Sequence, residues 1–211
     1  MHDSEAAELA LKTTQDDPHD PTIGAMTHFV RGRLAAEAGD AASAAAEMEA
    51  YGKAYADPAV SSNNPGYHCW IAPAEEAAGH PDKADALLKT AGTFVDCYRF
   101  RGDILDDRDN WPGAQKAYSE AVALAPDLPA AYYSWGVALA KHGDLSGAEV
   151  KLKDANQRGP HWADPLKAWG DVLVKQGKTK EALVKYDEAL KYAPNWKQLK
   201  GARAGAAKQR S

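Results

Sequence analysis

The stretch "SWGVALAKHGDLSGA" (Ser134–Ala148) and, thirty-four residues further on, "AWGDVLVKQGKTKEA" (Ala168–Ala182) decide how this chain folds. Trp135 returns as Trp169, Gly136 as Gly170, Leu139 as Leu173, Gly143 as Gly177 and Ala148 as Ala182. The period continues outside the two stretches. Gly102, Gly136 and Gly170 form one column, and Leu105, Leu139 and Leu173 another. Ala114/Ala148/Ala182, Tyr118/Leu152/Tyr186, Ala121/Ala155/Ala189, Pro126/Pro160/Pro194 and Leu128/Trp162/Trp196 keep the same spacing.

Each unit has a physical logic. Trp, Gly and Leu at relative positions zero, one and four share one face of a helix. Gly inside a helix costs about 1 kcal/mol against Ala, so the column predicts close approach of a second helix. "KHGD" and "KQGK" end the first helix, with Gly143 and Gly177 placed for a left-handed C-cap. The second helix carries Ala148, Leu152 and Ala155, then Ala182, Tyr186 and Ala189, again as one stripe. Pro160 and Pro194 close the units. One such hairpin cannot bury its apolar face alone, whereas stacked copies can.

The N-terminal half carries the same pattern in degraded form. His28, Arg31, Gly32, Ala35, Gly39, Asp40, Ala44, Met48 and Tyr51 align as one unit. Gly79, Ala84, Leu88 and Ala91 align as the turn and second helix of the next. Pro73 is expected to kink or shorten that unit's first helix. Between the two, Asp57–Gly66 reads as an inserted loop. This gives five units, two irregular over 25–94 and three regular over 95–196. Ser4–Thr14 within 1–20 reads as a single amphipathic helix, either a cap or part of a truncated repeat, and 197–211 reads as a solvating C-terminal helix.

These columns resemble the tetratricopeptide repeat (TPR) family, whose 34-residue unit carries a W-x2-L-G-x2-Y, A-x3-F, P signature. Arg101 departs from the large apolar residue expected at its position. The resemblance implies an all-α, right-handed superhelical solenoid of antiparallel helix pairs. It also implies an extended concave groove, lined by the first helix of each unit, that binds a peptide or protein segment. Projected onto this chain, the groove residues are Phe29, Arg33, Arg99, Asp103, Asp106, Tyr133, Val137, Lys141, Lys167 and Asp171. Glu37, Cys69, Glu76, Asp96, Asp107 and Lys175 also face it. Tyr133 is the best candidate anchor, because aromatic residues and Arg dominate binding hot spots. The carboxylate clamp of some chaperone-binding relatives needs Lys and Asn where this chain has Arg99 and Asp103, or Tyr133 and Val137; it is not expected here.

No other chemistry competes. The chain of 211 residues is 45% apolar, 26% charged and carries a net charge of −5, which argues against non-specific nucleic-acid binding. No Walker loop, dinucleotide fingerprint, nucleophile elbow or H-E-x-x-H is present, so neither an enzyme nor a cofactor is expected. His68, Cys69, His80 and Cys97 lack zinc-site spacing, and Asp103–Asn110 lacks calcium-loop spacing, so no metal is expected. The basic residues of the C-terminal helix (Lys197, Lys200, Arg203, Lys208 and Arg210) read as a soluble cap. Cys69 and Cys97 could pair, but spacing does not place them within bonding distance; the favoured expectation is reduced, partly buried thiols of a cytoplasmic protein, with a periplasmic one as the alternative had a leader been removed. The functional expectation is a non-enzymatic adaptor for a protein partner. The alternatives are an interaction module of a larger protein or a self-assembling solenoid, with weak self-association.

Overall fold

The structure is a computed structural model that describes residues 11, 21–55, 65–90, 92 and 94–209. The inserted loop assigned to Asp57–Gly66 falls largely outside these residues, as do Ala91 and all but Leu11 of the N-terminal Ser4–Thr14 segment. Among the described residues the chain is all-α, built from antiparallel helix pairs of the solenoid class. The helices are α1 (Pro21–Glu37), α2 (Ala41–Tyr55), α3 (His68–Ala77), α4 (Pro81–Thr90), α5 (Val95–Asp107), α6 (Trp111–Leu124), α7 (Pro129–Lys141), α8 (Leu145–Arg158), α9 (Ala163–Lys175), α10 (Thr179–Tyr192) and α11 (Lys197–Gln209). Two compact units divide between Ile104 and Leu105, within α5. None of the described helices is long and apolar enough to cross a membrane.

The expected turn chemistry is present at every hairpin within a unit. Gly39, Gly79, Gly143 and Gly177 have φ of +80°, +83°, +84° and +76°, the left-handed region that glycine enters without steric cost. Asp109 occupies the same place after α5, at φ +58°. Three of the following helices start on a side-chain cap, whereas Lys178, before α10, supplies none. Asp40 accepts from the Ser43 amide, Asn110 from Gly113, and Asp144 from Gly147, at 3.0, 3.1 and 2.9 Å.

In the first unit α3 is only ten residues long, contains Pro73 and is preceded by a 3-10 turn at Pro65–Tyr67. Proline removes one helical hydrogen bond and crowds the preceding turn, which accounts for the shortening. The cysteines correct the expectation of free thiols. Cys69 on α3 and Cys97 on α5 form a disulfide, with Cα atoms 4.9 Å apart and both residues fully buried. Sequence spacing does not reveal this pairing, because successive first helices of an array approach side by side only once folded. A second departure is Glu75, which stands where the regular units have Leu139 and Leu173. It is 1% exposed; Lys83 Nζ lies 2.8 Å from Oε1 and His80 Nδ1 lies 2.9 Å from Oε2. Lys83 also pairs with Glu49 of α2, so one cation ties α2, α3 and α4 together.

In the second unit the glycine column does what its cost implied. A Cβ on Gly136 would lie 2.8 Å from Leu152 Cγ, and one on Gly170 would lie 2.5 Å from Tyr186 Cε1. Outside that packing run two matching cation–π contacts. Lys151 Nζ stands 4.0 Å from the Trp135 ring and Lys185 Nζ 4.2 Å from Trp169. The unit ends on α11, which buries Leu199 and Ala206 against α9 and α10 and turns Lys197, Lys200 and Lys208 outward.

Candidate functional site

The first helices of the last two repeats, α7 and α9, lie side by side in the second unit and leave a trough of about 550 Å3. Tyr133, Val137 and Lys141 of α7, and Lys167, Asp171 and Lys175 of α9, line it at helical spacings of four. Ala140, Leu152 and Val172 form its apolar floor, and Trp196 closes one end. Val137 is 41% exposed despite being aliphatic. Tyr133 packs against Trp162, with ring centroids 4.9 Å apart.

The charges in the trough are held in place. Tyr186 fills the space left by Gly170 and donates its hydroxyl to Asp171 Oδ1 at 2.7 Å. The other oxygen of Asp171 accepts from Lys167 at 2.8 Å, and Lys167 Nζ lies 5.7 Å from the Trp196 ring. Burial raises the pKa of the Tyr186 hydroxyl, and the neighbouring Asp171 carboxylate raises it further, so it stays a donor. Asp106 sits beside the trough, nearly buried. It accepts from Lys141 at 2.9 Å and from His142 Nε2 at 2.5 Å, while Trp111 stacks on the His142 ring. Burial opposes charge on Asp106, but the hydrogen bonds from Lys141 and His142 prevail and hold its carboxyl below the usual range. Asp106 and Asp107 in turn keep Lys141 protonated above its ordinary pKa. Among the described residues Lys175 reaches a backbone carbonyl, that of Ala140 at 3.4 Å.

Of the expected groove residues, the trough gathers Tyr133, Val137, Lys141, Lys167 and Asp171, with Asp106 behind Lys141. Lys175 also lines it and Asp107 pairs with Lys141, whereas Phe29, Arg33, Arg99 and Asp103 lie in the first unit. Phe29 is not presented as a free surface; it packs on Tyr51 and Trp70, with centroids 5.3 and 5.8 Å away. Arg99 lies flat on Phe100, 3.7 Å from the ring centre, between Asp96 and Asp103 at 3.2 and 3.6 Å. Arg33 is exposed at the lip of a second hollow of about 270 Å3.

The two hollows are the same step of the repeat. With Gly39 set on Gly143 and Gly79 on Gly177, Arg33, Ala36 and Met48 fall on Val137, Ala140 and Leu152. Pro73, Ala74 and Ala77 fall on Asp171, Val172 and Lys175. Sequence reasoning picked out helix positions but not these cavities. Their signal is in the small residues, Gly32, Ala36, Ala44, Ala74 and Ala77, which leave the first hollow unfilled. Trp196 was also missed as a site residue, because it was read only as a column at the end of the last repeat. No group of three or more potential metal ligands occurs among the described residues.

This arrangement of paired helices, glycine columns and hairpin turns defines an α-helical repeat solenoid, and its fold is similar to that of tetratricopeptide repeat proteins. The sequence agrees: a family model described as "TPR repeat" matches residues 102–143. Solved structures agree as well. A thermophilic TPR protein in Thermus thermophilus is 21% identical, covering 87% of this chain and 98% of that one, with a TM-score of 0.67. Yeast Tom70 is 15% identical over 96% of this chain, which spans 46% of Tom70, at a TM-score of 0.65. YrrB, described as a TPR protein with an unusual peptide-binding site, is 18% identical over 95% of this chain and 99% of its own, at a TM-score of 0.54. No curated protein matches the chain.

Proposed function

We propose that this chain is a non-enzymatic scaffold that binds an extended peptide segment of a protein partner in the trough between α7 and α9. The observation that carries the reading is the pre-set Lys167. Asp171 and Tyr186 hold it beside an open apolar floor that includes the exposed Val137. Little ordering remains to be done when a ligand arrives, which favours affinity. Tyr133 and Trp196 supply aromatic walls against which a partner side chain can pack. The fold supports the same reading by analogy, since YrrB is described by its peptide-binding site.

The test is a displayed peptide library panned against the full chain, with a folded Tyr133→Ala/Lys167→Glu variant as counter-selection. Sequences recovered on the wild type and lost on the variant are expected. Equal recovery on both, or none on either, overturns the reading. We also infer an oxidising compartment, the periplasmic alternative above, because glutathione and thioredoxin reduce disulfides in most cytosols. Thiol trapping in source cells tests this: alkylatable Cys69 and Cys97 in freshly quenched cells would return the chain to a reducing compartment.

A further inference from the structure

We propose that the hollow of the first unit is an anchor site for one leucine- or phenylalanine-sized side chain of a partner peptide, with a neighbouring acidic residue of that peptide set against Arg33. The inference shares with the proposal above only the premise that this array binds peptides; its residues are different. The hollow is walled by Met48, Trp70 and Phe100 and lined by alanines, so its chemistry is apolar throughout except at Arg33. A dry apolar cavity of roughly 150 Å3 is enough to hold benzene, and this one measures about 270 Å3. It is open, because Arg33, Ala36 and Ala77 at its mouth are all exposed.

Its walls are fixed. Cys69 and Cys97, joined to each other, immediately precede Trp70 and stand one turn before Phe100 respectively. Met48 fills the space left by Gly32, where an added Cβ would lie 2.9 Å from its sulfur. Pro73 occupies the position that carries Asp171 in the other hollow, so no carboxylate competes from that site. The charge at the lip is uncommitted. Arg99 is stacked and doubly paired, whereas Arg33 makes no ion pair among the described residues. An apolar pocket with one free guanidinium at its edge complements an apolar side chain beside a carboxylate.

The experiment uses the full chain labelled with 13C at the methionine methyls. The protein has three methionines, and of the described Met26 and Met48 it is Met48 that lines the hollow. The probes are blocked five-residue peptides with a central leucine flanked by glutamates, the same flanked by lysines, and the glutamate peptide with a central alanine. The leucine–glutamate peptide is expected to shift the Met48 methyl saturably. Central alanine is expected to weaken binding about tenfold or more, the loss of one buried leucine. Flanking lysines are expected to weaken it about two- to fivefold, the size of an exposed ion pair, and Arg33→Glu to reverse that order. Ala77→Trp, at an exposed position on the mouth, is expected to remove the Met48 response while the circular dichroism spectrum and disulfide remain. An unmoved Met48 methyl, an equal response in Ala77→Trp, or a shift driven by protein concentration alone overturns the site. A charge order unchanged by Arg33→Glu removes Arg33 from it. Tyr133→Ala/Lys167→Glu should leave the Met48 response intact, so failure of the trough and failure of this site are read separately.

Discussion

The hollow between α7 and α9 and the hollow below Arg33 occupy the same step of one repeat, yet they select for different things. In the second unit the positions hold Val137, Asp171 and Lys175, and the result is a charged trough on an apolar floor. In the first they hold Arg33, Pro73 and Ala77, and the result is an apolar hole with one cation at its lip. The glycine turns and helix pairing are common to both. Repeat architecture therefore sets where a ligand can lie, and about three side chains per step set which ligand it is. The supports differ in kind as well. A disulfide and a buried carboxylate brace the irregular unit, whereas glycine-to-tyrosine packing and a surface cation–π row brace the regular one.

That contrast is sharpest when the disulfide is opened. Closing a loop of 28 residues contributes about 3.5 kcal/mol in the chain-entropy account. Cys69→Ala/Cys97→Ala should therefore speed amide exchange in α3, α4 and the start of α5 while α8 to α10 keep theirs. Uniform acceleration across both units would break the comparison, since it would make the array one cooperative block. Next in size is Lys83→Met, which leaves Glu75 buried with the His80 ring as its remaining contact and should cost about 3 kcal/mol. Glu75→Leu restores the residue type of Leu139 and Leu173 and should leave stability within about 1 kcal/mol of wild type, or raise it. Urea melts of the two variants decide this; equal losses would show that Glu75 is held by something other than Lys83.

In the regular unit the matching change is Gly170→Ala. Ala is the better helix former by about 1 kcal/mol, but the new Cβ meets Tyr186, which is itself pinned to Asp171. Overpacking should win, with a net loss of about 2 kcal/mol. Because displacing Tyr186 frees Asp171, the same variant should weaken peptide capture in the trough. A stable Gly170→Ala protein with undiminished capture would show that the Tyr186–Asp171 contact does not set Lys167.

The regular unit was legible because its columns answer to a single steric demand. Gly136 and Gly170 announce their neighbours, and Gly143 and Gly177 announce their turns. The groove positions on α7 and α9 followed from helical periodicity once the first helix was located. The first unit was less legible for physical reasons. A disulfide depends on distance between helices that the chain does not encode locally, so Cys69 and Cys97 read as thiols. Phe29 has a groove position on its helix, but its ring packs onto Tyr51 and Trp70, partners that helical periodicity does not reveal. A cavity is missing volume, and no motif marks it.

The smallest effect concerns Asp106, whose role belongs to the second unit alone. Its carboxyl is held below the ordinary range because Lys141 and His142 outweigh the burial that opposes its charge. A depressed folded value means that the stabilisation is complete above the unfolded pKa of about 3.9 and disappears as pH falls through the lower folded value. Asp106→Asn should therefore cost about 1 kcal/mol at neutral pH, a modest figure because Lys141 remains half in water. The gap between variant and wild type should close below the usual carboxylate range. The first unit has no equivalent, since Ala36 stands where Asp106 does in the repeat, and Ala36→Asn should show no such pH-dependent gap. A urea-melt series from pH 7 to pH 2 on both variants reads the two sites together. An Asp106→Asn deficit that persists at pH 2 would mean that shape, rather than the charge shared with Lys141 and His142, is what Asp106 contributes. The trough would then keep Lys141 in place through Asp107 alone.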